Sequence, residues 1–582
     1  MAGSSGGSQA AFHALLARRA HYNEKLMLAF ILSMLAIATG FALTHQLRRP
    51  GKRQGRSAQQ DSKPGLVARL SRRGRNWALR SAWLLPSVGH VAVVGLYVAI
   101  NLIIAFVRIN RDTLPMVTNV ASRAAWLALG NLVVVVVLAL KNTPLAFLTA
   151  WSYERLNVLH QVAGYTMVSL VIIHASCYSA YFVQSGRVER LLHVQDIYGM
   201  VAGLSLLILG FAGAVIRRWW YELFYYVHVV FWVLSFVMIG LHQPDLGGKA
   251  IVVAIFVGAI WFLDRLLRLA RLALYSTNNS VKLTPLPNQT TRVTLAKPPF
   301  GLVSGKHCFL WIPRVRPCEA HPFTVSSTDP LEFVVASHNG FTRDLHTYAV
   351  SHPGVPLKAS VEGTYGTIPD ATGYDTVVLV AGGSGASFTF GVALDLLSKL
   401  QRDESKHVVF IWAVKHSSDL DWFHDHLITL RADGRVSTML FVTRELASQG
   451  PSSSNAEPQP SPSSLTQESE LDPEKARTPS MQSRDSGFSV KSEKSMPSET
   501  ETSATRVGHQ RPANAHGVPI TYERPNAGAL VRAAIADTPA SQRVLVLCCG
   551  PDELMTQVRN TTAQCIQPEG PGVELHCERF GW

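Results

Sequence analysis

The sequence predicts a multi-domain membrane protein: an all-α bundle of seven membrane-spanning helices, then a small antiparallel β-barrel, then an α/β domain. Three features predict it. Seven apolar stretches nearly free of charge fill the first half of the chain. Short β-rich runs separated by Pro, Gly and Asn follow, and from Asp375 strands alternate with helices. Composition agrees: 47% of the 582 residues are hydrophobic, only 16% are charged, and the mean hydropathy is +0.14. A soluble globular chain carries about 25% charged residues. The net charge of +14 does not mark a nucleic-acid-binding protein, because the basic excess is local. Arg48 to Arg80 holds eleven Lys and Arg against Asp61 alone. Seven Cys without regular spacing exclude a disulfide-rich scaffold and a CxxC zinc site. Cys548-Cys549, side by side on an apolar strand, suit reduced thiols in the cytosol.

The apolar runs are Leu26–Leu47, Ser81–Val107, Ala124–Leu140, Leu156–Gly186, Ile197–Ile216, Leu223–Pro244 and Ala250–Leu263. A span needs roughly 20 mostly apolar residues, so the third and seventh are short. The first is long for a signal peptide, and its positive charge follows rather than precedes it. The positive-inside rule makes Arg48–Arg80 cytoplasmic. That puts the N-terminus outside and everything after Arg265 inside, with outer loops at Arg108–Arg123, Arg187–Asp196 and Asp245–Lys249. The N-x-[ST] sequons at Asn278, Asn288 and Asn560 then lie where glycosylation does not reach them.

Two spans carry paired histidines. His160 and His174 lie in the fourth run, His228 and His242 in the sixth, each pair separated by thirteen residues. Fourteen steps make about 3.9 turns, so both His of a pair share one helix face, roughly 21 Å apart along the axis. With one helix between them the two spans run parallel. His160 then levels with His228, and His174 with His242. Ionisable groups inside a membrane are rare and functional by default, and neutral imidazole is a good iron ligand. This spacing predicts two stacked b-type haems, each held by two His. His90 has no partner at this spacing and reads as packing or a propionate contact, and Met167 and Met238 read as core.

The β-rich segment has runs at Ser280–Thr284, Arg292–Ala296, His307–Ile312, Phe323–Ser326, Leu331–Ala336 and Lys358–Val361, with a helix at Thr342–Val350. Regularly spaced short strands predict a barrel. Strand Thr376–Ala381 then enters Gly382-Gly383-Ser384-Gly385 and helix Ser387–Leu400, followed by strand His407–Val414, helix Leu420–Leu430 and strand Val436–Thr443. Such alternation predicts a parallel sheet, and a Gly-rich turn into a helix lets backbone amides approach a phosphate. Residues 446–516 are dominated by Ser, Pro, Glu, Gln and Thr and cannot bury a core, which predicts a disordered insert. Alternation resumes at Val518–Tyr522, Ala527–Ala536, Arg543–Cys548, Pro551–Arg559 and Val573–Phe580.

From about Leu156 to Trp582, the insert excepted, the chain resembles the fungal ferric-chelate reductases, within the superfamily that includes the NADPH oxidases. The resemblance rests on the paired His, on His321-Pro322-Phe323-Thr324-Val325-Ser326-Ser327, and on Cys549-Gly550-Pro551. It implies a ferredoxin-reductase-like module of an FAD-binding barrel (274–372) and an NADPH-binding domain (373–582). These follow a tail (1–23) and a seven-helix region (24–273) with its haem core at about 120–245. By the resemblance, Phe323 stacks on the flavin, Thr324 bonds near its reactive nitrogen, and His321 lies toward its phosphate side, with Pro322 and Ser327 in the same motif. Gly340 and Thr342 open a helix at the pyrophosphate, and Gly363 belongs to a Glu-Gly-x-Tyr-Gly turn in which Thr364 replaces the family's Pro. Gly382, Gly383, Ser384 and Gly385 form the NADPH phosphate loop, Thr443 and Arg444 hold the 2′-phosphate, and Cys549, Gly550 and Pro551 border the nicotinamide. Arg524 stands in a Gly-Arg-Pro-Asn-like motif with Glu523 in place of Gly, and Trp582 is the terminal aromatic that covers the flavin.

The function implied is electron transfer from cytosolic NADPH through FAD and two haems to ferric or cupric chelates outside. Such an enzyme supports iron or copper uptake at the plasma or vacuolar membrane, beside a metal permease or oxidase partner and without nucleic acid. No acid or base is required, so catalysis is cofactor placement. The alternative within the superfamily is a superoxide-producing NADPH oxidase. Seven spans and a terminal Trp favour the reductase. A non-catalytic haem scaffold would have no use for the nucleotide half.

Overall fold

The computed structural model describes residues 3–48, 65–83, 85–109, 113–149, 151, 153–242, 250–400, 406–445 and 512–579. Among them seven helices are long and apolar enough to cross a membrane. These are α1 (Gly3–Arg48), α3 (Val88–Phe106), α4 (Met116–Ala139), α6 (Tyr153–Gln184), α7 (Val194–Phe211), α9 (Tyr221–Leu241) and α10 (Ala250–Ser276). Shorter helices α2 (Leu66–Leu79), α5 (Pro144–Thr149) and α8 (Arg217–Trp219) link them, α8 continuing α7 through a π turn at Ala212–Ile216.

The third and seventh spans are longer than their apolar runs, and the polar residues that ended those runs are paired inside the bundle. Arg123, expected in an outer loop, lies within α4. Its Nε donates to Asn23 Oδ1 at 2.7 Å and its Nη1 to the Ile104 and Val107 carbonyls at 2.7 and 3.1 Å. Asp264 accepts from the Asn142 backbone and side-chain N–H at 3.0 and 2.9 Å, and α10 runs past it to Ser276. In hydrocarbon such groups are tolerated only when partnered. Asn131 shows the same rule at the centre of the bundle. Fully buried, it donates to Asn101 Oδ1 at 2.8 Å and accepts from the Tyr97 hydroxyl. Around it α4 packs along α6, and α7 along α9, over a core including Phe30, Leu127, Leu132, Met167 and Leu206.

The basic stretch expected as a plain cytoplasmic loop contains α2. Its residues 49–64 lie outside those described, as does the outer loop at 245–249.

The β-rich segment forms β1 (Ser280–Leu286), β2 (Thr290–Leu295), β3 (His307–Trp311), β4 (His321–Thr324), β5 (Ser327–Thr328), β6 (Leu331–Ala336), β7 (Leu357–Lys358) and β8 (Ser360–Tyr365), with α11 (Phe341–Ser351) after β6. Two antiparallel sheets, β5-β6-β2-β1-β7 and β4-β3-β8, enclose Val281, Leu283, Val293, Leu310 and Phe333. The fourth strand starts at His321 rather than Phe323, so the whole His-Pro-Phe-Thr run is strand, in register with His307–Leu310.

The last segment comprises β9 (Thr376–Gly382), α12 (Ala386–Lys399), β10 (His407–Val414), α13 (His424–Ala432), β11 (Val436–Val442), β12 (Asn514–Ala515), β13 (Val518–Thr521), α14 (Ala527–Ala536), β14 (Arg543–Cys549), α15 (Asp552–Cys565) and β15 (Gly572–Glu578). Its sheet order is β12-β13-β11-β10-β9-β14-β15, parallel except for the β12–β13 pair. Central β9 is buried on both faces, Val377 and Leu379 on one and Val378 and Val380 on the other. The helix expected at Leu420–Leu430 is a 3-10 turn (Ser417–Phe423) leading into α13. The insert was expected to run to His516, but Asn514–Ala515 already pairs with β13. Residues 446–511, which carry the rest of the insert, lie outside those described.

Candidate functional site

Helical periodicity brings His160 and His174 of α6 level with His228 of α9 and with His242, which caps the end of α9. The ring centroids of His160 and His228 are 6.4 Å apart, and so are those of His174 and His242. Three of the four are oriented from behind. His160 Nδ1 lies 3.0 Å from the Val135 carbonyl and His174 Nδ1 3.0 Å from that of Ala121, both on α4, while His242 Nδ1 lies 2.7 Å from the Gln195 carbonyl. A carbonyl can only accept, so each Nδ1 carries the proton and Nε2 keeps its lone pair. His228 Nδ1 has no hydrogen-bond partner among the described residues.

A metal ion takes an imidazole nitrogen at about 2.0–2.1 Å, so two rings flanking one ion have centroids about 6 Å apart. The donor set and spacing therefore fit one bis-imidazole haem at each pair. Gly164, between His160 and His174 on α6, would meet no atom of the described residues within 4 Å if it carried a Cβ, which suits a broad planar group against this face. His90 is held by Ser87 Oγ at 2.8 Å and packs on Trp151, and Met167 is core.

In the barrel, β4 puts Phe323 beside Phe341 of α11, with centroids 6.1 Å apart, and His321 stacks on the same Phe341 at 4.5 Å. His321 Nε2 is 3.0 Å from Glu319 Oε2, and Arg316 bridges Glu319 and Asp344. Burial alone would raise the Glu319 carboxyl, but hydrogen bonds from His321 and Arg316 hold it below the usual range. Gly340 takes φ +76° at the start of α11, where a Cβ would sit 2.6 Å from Glu222 Oε1. Thr342 Oγ1 accepts from the His338 N–H at 2.8 Å, so this hydroxyl ties the loop before α11 to the helix's first turn.

Gly363 takes φ +130°, and its neighbour Glu362 is buried against α10. Arg268 donates to the two Glu362 oxygens at 2.5 and 2.8 Å, and the Tyr365 hydroxyl bonds the same carboxylate. Burial opposes ionisation there, and the Arg268 pairing overcomes it, lowering the Glu362 carboxyl. Thr324 is buried, whereas Ser327 is half-exposed at the β5 edge.

In the α/β domain the chain runs outward from β9 in both directions, through β10 and β11 on one side and β14 and β15 on the other. Ligands of open α/β sheets bind beyond the carboxyl ends of the strands at such a switch point. Gly382–Gly385 leave β9 there, and Cys549-Gly550-Pro551 leaves neighbouring β14. The two turns touch. A Cβ on Gly385 would come within 2.5 Å of the Cys549 carbonyl oxygen, and one on Gly382 within 2.6 Å of Pro551. Gly383 at φ +56° turns the loop, and its carbonyl accepts from Trp412. Ser384 is exposed on it. Thr443 and Arg444 follow β11 on the same edge, Thr443 Oγ1 donating to the Val414 carbonyl and Arg444 exposed. Arg524 stands apart, 77% exposed and 3.4 Å from Glu553. Trp582 lies outside the described residues.

The spacing of motifs gave no signal for the contacts that join the halves. Arg155, five positions before His160 on α6, donates to the Cys577 carbonyl at 2.8 Å and pairs with Glu578 at the end of β15. Burial pushes Glu578 up, yet the hydrogen bond from His576 and the charge of Arg155 bring it down to about 2. Lys141 lies 3.0 Å above the Phe309 ring. With Arg268–Glu362 these contacts dock both parts of the module at the end of the bundle that carries His160 and His228.

Three consecutive stretches match family models: residues 124–239 a ferric reductase like transmembrane component, 275–374 an FAD-binding domain, and 374–563 a ferric reductase NAD binding domain. The chain belongs to the ferric reductase superfamily, a membrane-spanning helical domain joined to an FAD- and NAD-binding module. Among its relatives, the ferric/cupric reductase transmembrane component 2 of Saccharomyces cerevisiae is 26% identical over 460 residues, 77% of this chain and 59% of the yeast protein. A probable ferric reductase transmembrane component of Candida albicans is 28% identical over 52% of this chain and 46% of its own. A probable cell surface ferric reductase of Aspergillus oryzae is 28% identical over 53% and 45%. The chain thus spans about half the length of the curated relatives it matches.

Proposed function

We propose that this protein is a transmembrane metalloreductase. It takes electrons from NADPH on the side of the flavin module and delivers them to ferric or cupric chelates on the opposite face. The observation that carries this reading is the two-level arrangement of histidine pairs, with the module docked at the level of His160 and His228. When bound, FAD supplies the exchange of a hydride for single electrons and two b haems their passage across the bilayer. The chain's part is placement. His160 and His228 would hold the nearer haem, His174 and His242 the farther, with the Val135, Ala121 and Gln195 carbonyls fixing ring orientation.

Phe323 and Thr324 would bind the flavin ring, Gly340 and Thr342 its phosphate side. Gly382–Gly385, Thr443, Arg444 and the Cys549-Gly550-Pro551 turn would seat NADPH, with the exposed Arg444 guanidinium suited to a 2′-phosphate. The positive-inside rule supports a cytosolic module and an outside N-terminus. The plasma membrane fits that orientation, and a metal permease is the natural consumer of the reduced ion.

The test is NADPH-dependent reduction of an impermeant ferric chelate by cells expressing the protein, with superoxide dismutase present. Reduction that persists supports the reading. Reduction abolished by the dismutase would replace it with the superoxide-producing oxidase.

A further inference from the structure

α2 has two faces that need different partners. Arg72, Arg75, Asn76 and Leu79 fall on one side of the helix and grip the α/β domain. Arg72 Nη1 donates to the carbonyls of Gln567, Pro568 and Gly570 at 3.2, 2.9 and 2.7 Å, and Arg75 to that of Val573 at 2.9 Å. Asn76 donates to the Ile566 carbonyl just past α15, and Leu79 packs into the core beneath. A cation at the C-terminal end of a helix is favourably placed. One further contact extends the dock, where the Ser81 N–H donates to Asn560 Oδ1 at 2.8 Å.

The other face is apolar and exposed. At 100° per residue Leu66, Trp77, Leu70 and Val67 share one arc of about 100°, and their exposures are 73, 55, 57 and 82%. Arg69, Arg73 and Arg80 occupy one margin of that arc. Only eight residues (80–87) separate α2 from the start of spanning helix α3, which keeps α2 beside the end of that span.

We propose that α2 lies in the headgroup layer of the leaflet facing the module. Leu66, Val67, Leu70 and Trp77 sit among the acyl chains, with the marginal arginines at lipid phosphates. An apolar arc bordered by arginine is the composition of an interfacial helix, and its reach is set by the adjoining span. Because the opposite face is hydrogen-bonded to the end of α15 and to β15, the bilayer surface itself becomes a support that fixes the height of the α/β domain.

The experiment uses the full chain in single-copy nanodiscs of 70% phosphatidylcholine and 30% phosphatidylserine. A bimane label is placed by Leu70→Cys, with the exposed Cys318 changed to Ser. Ile428→Cys, exposed on α13, serves as the aqueous control. Doxyl-labelled lipid should quench the Leu70 label several-fold more than the Ile428 label, and aqueous iodide should do the reverse. Iodide quenching at both sites without a doxyl effect would overturn the proposal. A label shielded from both quenchers would also overturn it, since protein rather than lipid would then cover the face.

Discussion

Gly199 of α7 lies against the ring of His242, so this glycine decides whether the histidine can hold its position. A Cβ added there would sit 2.7 Å from the ring's Cε1 and Nδ1 and 3.2 Å from Cγ. Ordinary contact is about 3.5 Å or more, so Gly199→Ala forces the ring back by roughly 0.8 Å. Overpacking of this kind costs about 1–3 kcal/mol. The retreat also pulls Nδ1 from the Gln195 carbonyl, now 2.7 Å away on the same helix. Loss of the partner behind a metal-binding histidine typically costs about 10–100-fold in affinity. Gly203, one turn further along, is the control, because among the described residues its Cβ would meet only Val171, at 3.8 Å. Purified Gly199→Ala should lose the farther haem or show a changed EPR signal for it, with flavin content retained, while Gly203→Ala keeps both haems. The measurements are haem-to-protein ratio and low-temperature EPR. Two haems with unaltered signals in Gly199→Ala would refute the assignment of His242.

Arg268→Met should leave the buried Glu362 carboxylate without its bidentate partner and destabilise the barrel by about 3–5 kcal/mol. Differential scanning fluorimetry following flavin release measures this, and Arg268→Met with Glu362→Gln should recover part of the loss. Arg444→Ala should weaken NADPH far more than NADH, since a guanidinium on the 2′-phosphate serves only the phosphorylated cofactor, and steady-state kinetics with both cofactors read it. The Glu578 carboxyl is depressed to about 2, below its unfolded value of about 4.3. Its stabilising contribution is present above pH 4.3 and is lost as pH falls toward 2. Glu578→Gln should therefore flatten the acid-unfolding curve in that window, as followed by flavin fluorescence. Deleting residues 450–511 should leave flavin content and turnover nearly unchanged, because closure entropy varies slowly with loop length and the sheet resumes only at its edge strand β12.

The chain's own order of residues determined whatever depends on a local period. Seven apolar runs specify seven spans, the fourteen-residue step puts His160 and His174 on one face of α6, and alternating strands and helices specify a parallel sheet. These patterns are legible because each helix or strand buries a face set by its own repeat. Only the tertiary structure decided the rest. It placed Arg123 inside α4 and Asp264 inside α10, because a polar group is tolerated in a span when a partner from another part of the chain satisfies it, Asn23 of α1 for the first and Asn142 of the α4–α5 turn for the second. It brought Arg268 to Glu362, Arg155 to Glu578 and Arg72 to the end of α15, pairs lying 94, 423 and 495 to 498 positions apart. No periodicity links residues so distant. What selects them is the cost of leaving a buried charge or a partly buried loop carbonyl unpaired, and that cost exists only once packing has removed the water.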